Sequence, residues 1–185
     1  MANRGFYGLK RQFGSQFLSV KNKIKLYKTL IRLVLAYGSE TWALSKSDEA
    51  TLGVFERKIL RALFGPTNDN REWRIKYNNE LYTLYKESYI VTYIKINRLK
   101  WTGHVIRMEE QSPTRRILVA VVEGRRQRGR PKLRWEDGVV EDARKLGERN
   151  WRNAARNRDS WQKLLKKALA QKRLLCQWWW WWWWW

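Results

Sequence analysis

The chain has 185 residues, with 39 Lys and Arg against 17 Asp and Glu and a formal net charge of +22. That imbalance predicts salt-sensitive attraction to polyanions, nucleic-acid phosphate foremost. A single histidine and a single cysteine exclude a disulfide framework, a zinc knuckle and a Cys/His catalytic pair.

Residues 1–18 read as mixed. Gly5, Gly8 and Gly14 argue against a long helix, although Phe6, Leu9 and Phe13 can dock one apolar edge. From Lys21 to Tyr37 the pattern is helical: Ile24, Tyr27, Ile31 and Val34 recur at three- and four-residue spacing. Leu26, Leu30 and Leu33 widen the stripe, which predicts burial on more than one side. Gly38 is a stop signal. A second helix starts near Ser45 or Ser47, with Asp48 and Glu49 in its first turn and a core face of Leu52, Phe55, Ile59 and Leu63. It ends at Gly65-Pro66, and Thr67-Asn68-Asp69-Asn70 reads as a loop. Trp73 to Tyr77 has strand-like composition but no evident partner and reads as irregular. Asn78 or Asn79 caps a short helix through Leu81, Leu84 and Tyr85.

Ser88 to Met108 carries an apolar row of Ile90, Ile94, Asn97, Trp101, His104 or Val105, and Met108. The expected helix packs Trp101 inward, with His104 as a structural histidine, and shows Lys95, Arg98, Lys100 and Arg107 outward. Ser112-Pro113 precedes a short helical or extended piece from Arg115 to Val122. Pro131 suits the first position of a further helix burying Trp135, Val139, Ala143 and Leu146 and stopping at Gly147. Along it Asp137, Glu141 and Asp142 are expected to pair with Arg134, Arg144 and Lys145. Asn150 caps a turn through Trp151 and Ala154, and Asn157 or Asp159 restarts a helix with Trp161, Leu164, Leu165 and Ala168. Trp42, Trp73, Trp101, Trp135, Trp151 and Trp161 are spaced as core anchors would be. No segment alternates with period two, so the expected fold is all-α: about six helices in two small subdomains joined by a basic loop. The expected divisions are 1–108, 109–130 and 131–177, followed by 178–185. That last run, Trp178 to Trp185, is a translated single-codon repeat, expected to be disordered and left outside the fold.

The functional signal is the run from Gly124 to Trp135. Arg125, Arg126, Arg128, Arg130, Lys132 and Arg134 follow one another with no acid between them. Such crowded cations resist burial and call for solvent or a strong polyanion. The plain alternatives are a solvated connection or a nuclear-import signal. From Lys95 to Arg134, twelve Lys and Arg face only Glu109, Glu110 and Glu123, so the charge surplus is concentrated there. The candidate nucleic-acid-binding residues are therefore Lys95, Arg98, Lys100, Arg125, Arg126, Arg128, Arg130, Lys132 and Arg134. RNA or DNA, held through the phosphate backbone, is the expected partner. No catalytic residue, cofactor or metal ligand is assigned. No stretch reads as a membrane span or membrane-surface helix. Met1-Ala2-Asn3-Arg4-Gly5-Phe6-Tyr7 lacks a signal peptide's apolar core, and Cys176 stands alone, so the expected location is a reducing compartment, the nucleus ahead of the cytoplasm.

Several motifs occur in order. Lys25-Leu26-Tyr27-Lys28-Thr29-Leu30-Ile31-Arg32 runs into Tyr37-Gly38-Ser39-Glu40-Thr41-Trp42, followed by Phe55-Glu56-Arg57-Lys58-Ile59-Leu60-Arg61 and Asn79-Glu80-Leu81-Tyr82. Then come Arg98-Leu99-Lys100-Trp101-Thr102-Gly103-His104-Val105-Ile106-Arg107-Met108 and Gly129-Arg130-Pro131-Lys132-Leu133-Arg134-Trp135. Together they resemble the C-terminal portion of the reverse transcriptase polyprotein of LINE-like, non-LTR retrotransposons, over about residues 6 to 170. The resemblance implies a thumb-like helical region and its following linker, helping to hold template RNA, primer or target DNA beside a polymerase palm. Two departures stand out. Leu33 occupies a position where proline is expected, and no Tyr-x-Asp-Asp or other strand-borne carboxylate pair is present to hold two Mg²⁺ ions. The expectation is a noncatalytic fragment whose further partner is the missing palm. Two other readings remain: Arg128-Gly129-Arg130-Pro131 resembles the core of an AT-hook, which enters narrow A·T minor grooves, or the chain is a decayed copy with no selected role.

Overall fold

The computed structural model describes residues 1–120 and 133–170; the run from Arg125 to Lys132 and the terminal tryptophans lie outside them. The described residues are mostly helical, with one short hairpin, and divide into two compact units. One comprises Met1–Ser39 and Lys46–Val91, the other Glu40–Ser45 and the described part of Thr92–Trp185. The division therefore falls inside a helix near Val91, and not at 109–130, because the Glu40–Ser45 segment and most of that helix belong with the later residues.

The first unit opens with α1 (Ala2–Gly14), a helix that glycine content argues against. Burial overrides propensity: Phe6 and Phe13 are 2% and 0% exposed. At about 1.5–3 kcal/mol each, they outweigh glycines costing about 0.5–1 kcal/mol each. Helix α2 (Val20–Leu26) is capped by Ser19, whose hydroxyl accepts from the Asn22 amide at 3.3 Å. It passes through a π-helical stretch, Tyr27–Arg32, into α3 (Leu33–Ala36). The helix stays irregular just ahead of Leu33 without a proline there. Tyr27 and Ile31 are buried, but Leu30, Leu33 and Val34 are about half exposed, so the widened stripe is not covered within this unit. Gly38 ends the stretch at φ +66°.

Helix α4 (Lys46–Phe64) places Ile59, Leu60 and Leu63 against α1, the π-helical stretch and α5 (Asn78–Tyr85), with Leu81 and Tyr85 completing the core. Glu80, reaching back to the Tyr77 amide at 2.7 Å, secures the start of α5. Between α4 and α5 the expected loop is a hairpin: β1 (Thr67–Asp69) pairs antiparallel with β2 (Glu72–Arg74). Its turn residues Asn70 and Arg71 both have positive φ, 49° and 71°, the geometry that matches the strands' twist. Arg74 fastens it to α5, donating to both Glu80 carboxylate oxygens at 3.0 and 2.7 Å. Trp73, far from being a core anchor, is 71% exposed.

Helix α6 (Ile90–Ile106) starts in the first unit and continues into the second. In the second unit α7 (Pro113–Val119), α8 (Trp135–Lys145), α9 (Trp151–Arg156) and α10 (Arg158–Ala170) follow. Leu133 and Arg134 precede α8 as non-helical, exposed residues, so that helix starts at Trp135, and the expected start at Pro131 lies outside the described residues. Gly147, at φ +89°, closes α8, with the Glu148 amide donating to the Ala143 carbonyl at 3.0 Å. Asn157 caps α10 by accepting from the Asp159 and Ser160 amides at 3.0 and 3.2 Å. The core joins Ile96, Leu99, Val139, Ala143, Trp151 and Trp161. Among the described residues no helix is long and apolar enough to cross a membrane.

Candidate nucleic-acid interface

Helix α6 is apolar round most of its circumference, and that reverses the expected facing of two of its four outward charges, while Lys100 and Arg107 stay exposed. Ile94, Ile96, Leu99, Val105 and Ile106 are buried on several sides, which leaves no solvated face at positions 95 and 98. Lys95 and Arg98 are each 3% exposed. Asp142 on α8 receives both, with Arg98 Nη2 2.5 Å from Oδ2 and Lys95 Nζ 4.0 Å from Oδ1. Arg98 also donates to the Gly138 carbonyl at 3.3 Å and the Trp42 carbonyl at 3.4 Å. These two cations are interior partners of a carboxylate and are not presented to a phosphate. Asp142 thus pairs across helices, whereas Glu141 and Lys145 form the expected local pair at 2.7 Å. Gly138 makes room for this arrangement: a Cβ there would lie 2.6 Å from Arg98 Nη1.

The remaining candidates divide. Lys100 is exposed on α6 and Arg134 is exposed at the start of α8. Arg125, Arg126, Arg128, Arg130 and Lys132 lie outside the described residues. Trp101 is half-buried and His104 exposed, with ring centroids 5.4 Å apart, so His104 is not an interior histidine.

A basic groove missed by the sequence reading lies at the end of α6. Ile106, Leu118 and Val119 line it together with Arg115, Arg152 and Arg156. Arg107 leans on the same region, donating to the Ala155 carbonyl at 2.7 Å. Partial burial, and then the nearby charge of Arg158, lower the Arg107 pKa. Arg115 is oriented by the Met108 carbonyl and by Glu110 at 2.9 Å, and Arg152 pairs with Glu136. Both pairs are solvent-accessible and therefore weak enough to exchange for a phosphate. The sequence signal was the spacing of Arg152 and Arg156, one turn apart on α9, but only the packing of α9 near Ile106 brings them to Arg115. Among the described residues no group of three or more His, Cys, Asp or Glu gathers as metal ligands would.

No protein-family model matches the chain, and no solved structure matches it. The chain is 24% identical over 151 residues to an uncharacterised transposon-derived protein of Caenorhabditis elegans, covering 76% of this chain and 53% of that protein. It thus spans about half the length of the curated relative it matches, and the likeness connects it to transposon-derived sequence.

Proposed function

We propose that the chain is a noncatalytic nucleic-acid-binding part of a retrotransposon reverse transcriptase, holding the phosphate backbone of an RNA template or DNA target. The observation that carries this reading is the arginine groove of α7 and α9. Guanidinium groups converge there over an apolar floor, on either side in sequence of the basic run that includes Arg125 to Lys132. Guanidinium is suited to phosphate by its fork of donors, and the likeness to a transposon-derived protein supports the same assignment. Catalysis is left to other machinery because the sequence contains no Tyr-x-Asp-Asp.

The test is binding of the full chain to DNA and RNA–DNA duplexes over a range of salt. Alanine at Arg152 and Arg156, or at Arg125, Arg126, Arg128 and Arg130, should flatten the dependence of log K on log salt by about 0.9 for each duplex-DNA phosphate that is no longer neutralised. An unchanged slope in both sets sinks the phosphate assignment, and DNA synthesis on a primed RNA template with Mg²⁺ sinks the noncatalytic one. An AT-hook-like reading of Arg128 to Pro131 gains from the non-helical backbone at Leu133 and Arg134. It requires tighter binding to A·T duplex than to mixed duplex, whereas the backbone reading requires little difference.

A further inference from the structure

Helix α6 carries a second feature that the arginine groove does not use. Asn97, Lys100, Trp101 and His104 line a shallow cleft together with Glu40. Its volume is about 330 Å³, at the lower end of small-molecule pockets. The wall bearing Glu40 is fixed within the same unit: Trp135 Nε1 donates to the Glu40 carbonyl at 2.7 Å, and Arg98 Nη1 to the Trp42 carbonyl at 3.4 Å.

We propose that this cleft accepts one unstacked nucleobase of a single strand, with guanine preferred. The proposal rests on the nucleic-acid reading above but on different residues. A half-buried indole with an adjacent imidazole offers a seated aromatic platform, and bases stack on such platforms whatever their identity. Exposed Lys100 beside the platform supplies a cation for the attached phosphate. Among the described residues Glu40 is the one acid lining the cleft, so it disfavours phosphate at that end and favours a donor-bearing base edge. A carboxylate only accepts hydrogen bonds. Guanine, with adjacent N1–H and N2–H donors, is the base whose pairing edge fits two carboxylate oxygens side by side, and Asn97 can serve its neighbouring acceptor.

Fluorescence anisotropy with the full chain and labelled uridine strands carrying one central guanine, adenine or cytosine tests this, beside a blunt duplex. The guanine strand should bind most tightly. Trp101→Ala should weaken every single strand by about 5- to 100-fold and leave the duplex unchanged. His104→Ala, a change at an exposed position, should weaken the single strands in the same sense, and Glu40→Gln should erase the guanine preference while uridine binding persists. Single-strand affinities unmoved by both Trp101→Ala and His104→Ala overturn the cleft assignment, and a guanine preference surviving Glu40→Gln overturns the base assignment. Loss of duplex binding in the Arg152 and Arg156 variants alongside intact cleft variants would retain the phosphate reading and remove this one. The opposite pattern would do the reverse.

Discussion

Glu56 in the first unit and Asp142 in the second are both enclosed, 0% and 1% exposed, yet their surroundings differ in kind. Glu56 sits at the N-terminus of α6, accepting from the Ile90 amide at 3.1 Å and the Tyr27 hydroxyl at 3.0 Å. Its closest partners are neutral. Burial therefore dominates, and in spite of these donors and the weaker pull of Arg32 it pushes the carboxyl up to about 7. Asp142 meets a guanidinium and an ammonium instead, so three charges are packed as one group. A buried carboxylate served by dipoles makes its unit answer to protons. One served by cations makes its unit answer to the loss of a partner.

Breaking the second arrangement should have the larger effect. Asp142→Ala removes the carboxylate that buried Lys95 and Arg98 share and should cost about 3–5 kcal/mol in denaturant unfolding. A loss below about 1 kcal/mol would mean that the two cations find water or other acceptors. The first arrangement can be sharpened by pH. The folded value of Glu56 lies above the ordinary 4.5, so the native state holds this proton more tightly than the unfolded chain does. Its stabilisation is complete below about pH 4.5 and declines as pH rises through about 7, a change of about 3 kcal/mol. The difference in stability between the native chain and Glu56→Gln, measured at several pH values, should follow that course; a difference independent of pH would refute it. The smallest expected effect is a gain. A Cβ at Gly8 would meet no atom within 4 Å, so Gly8→Ala should stabilise α1 by about 0.5–1 kcal/mol, and a loss would mean that α1 needs its glycine there.

Much of the helical framework was legible because local chemistry announced it. Gly38 and Gly147 stop helices with positive φ, Asn157 caps α10, and the Ile59–Leu63 and Val139–Ala143 spacings mark the faces that are buried. What escaped depended on partners distant in sequence. Helix α1 exists because its phenylalanines reach a core built by α4 and α5. The hairpin was hidden because a turn of Asn70-Arg71 lacks the usual glycine. On α6 the row through Ile90, Ile94 and Val105 is buried and Lys100 and Arg107 face out as expected, but His104 is exposed, and Lys95 and Arg98 looked like solvent cations until Asp142 appeared opposite. For the candidate interface, a surplus of charge was readable but its geometry was not: two of the nominated cations turned inward, and arginines from two separate stretches, α7 and α9, line the groove.

The contact between α6 and α10 has a consequence for assembly. Trp161 Nε1 donates to the Leu99 carbonyl at 3.0 Å, and its ring fills the place where a side chain at Gly103 would stand, 2.2 Å from the position a Cβ would occupy. Leu99 and Gly103 form such a notch only when that turn of α6 is wound. The indole is thus a key cut for a coiled lock: unwinding that turn of α6 removes the seat of Trp161 and with it this contact to α10.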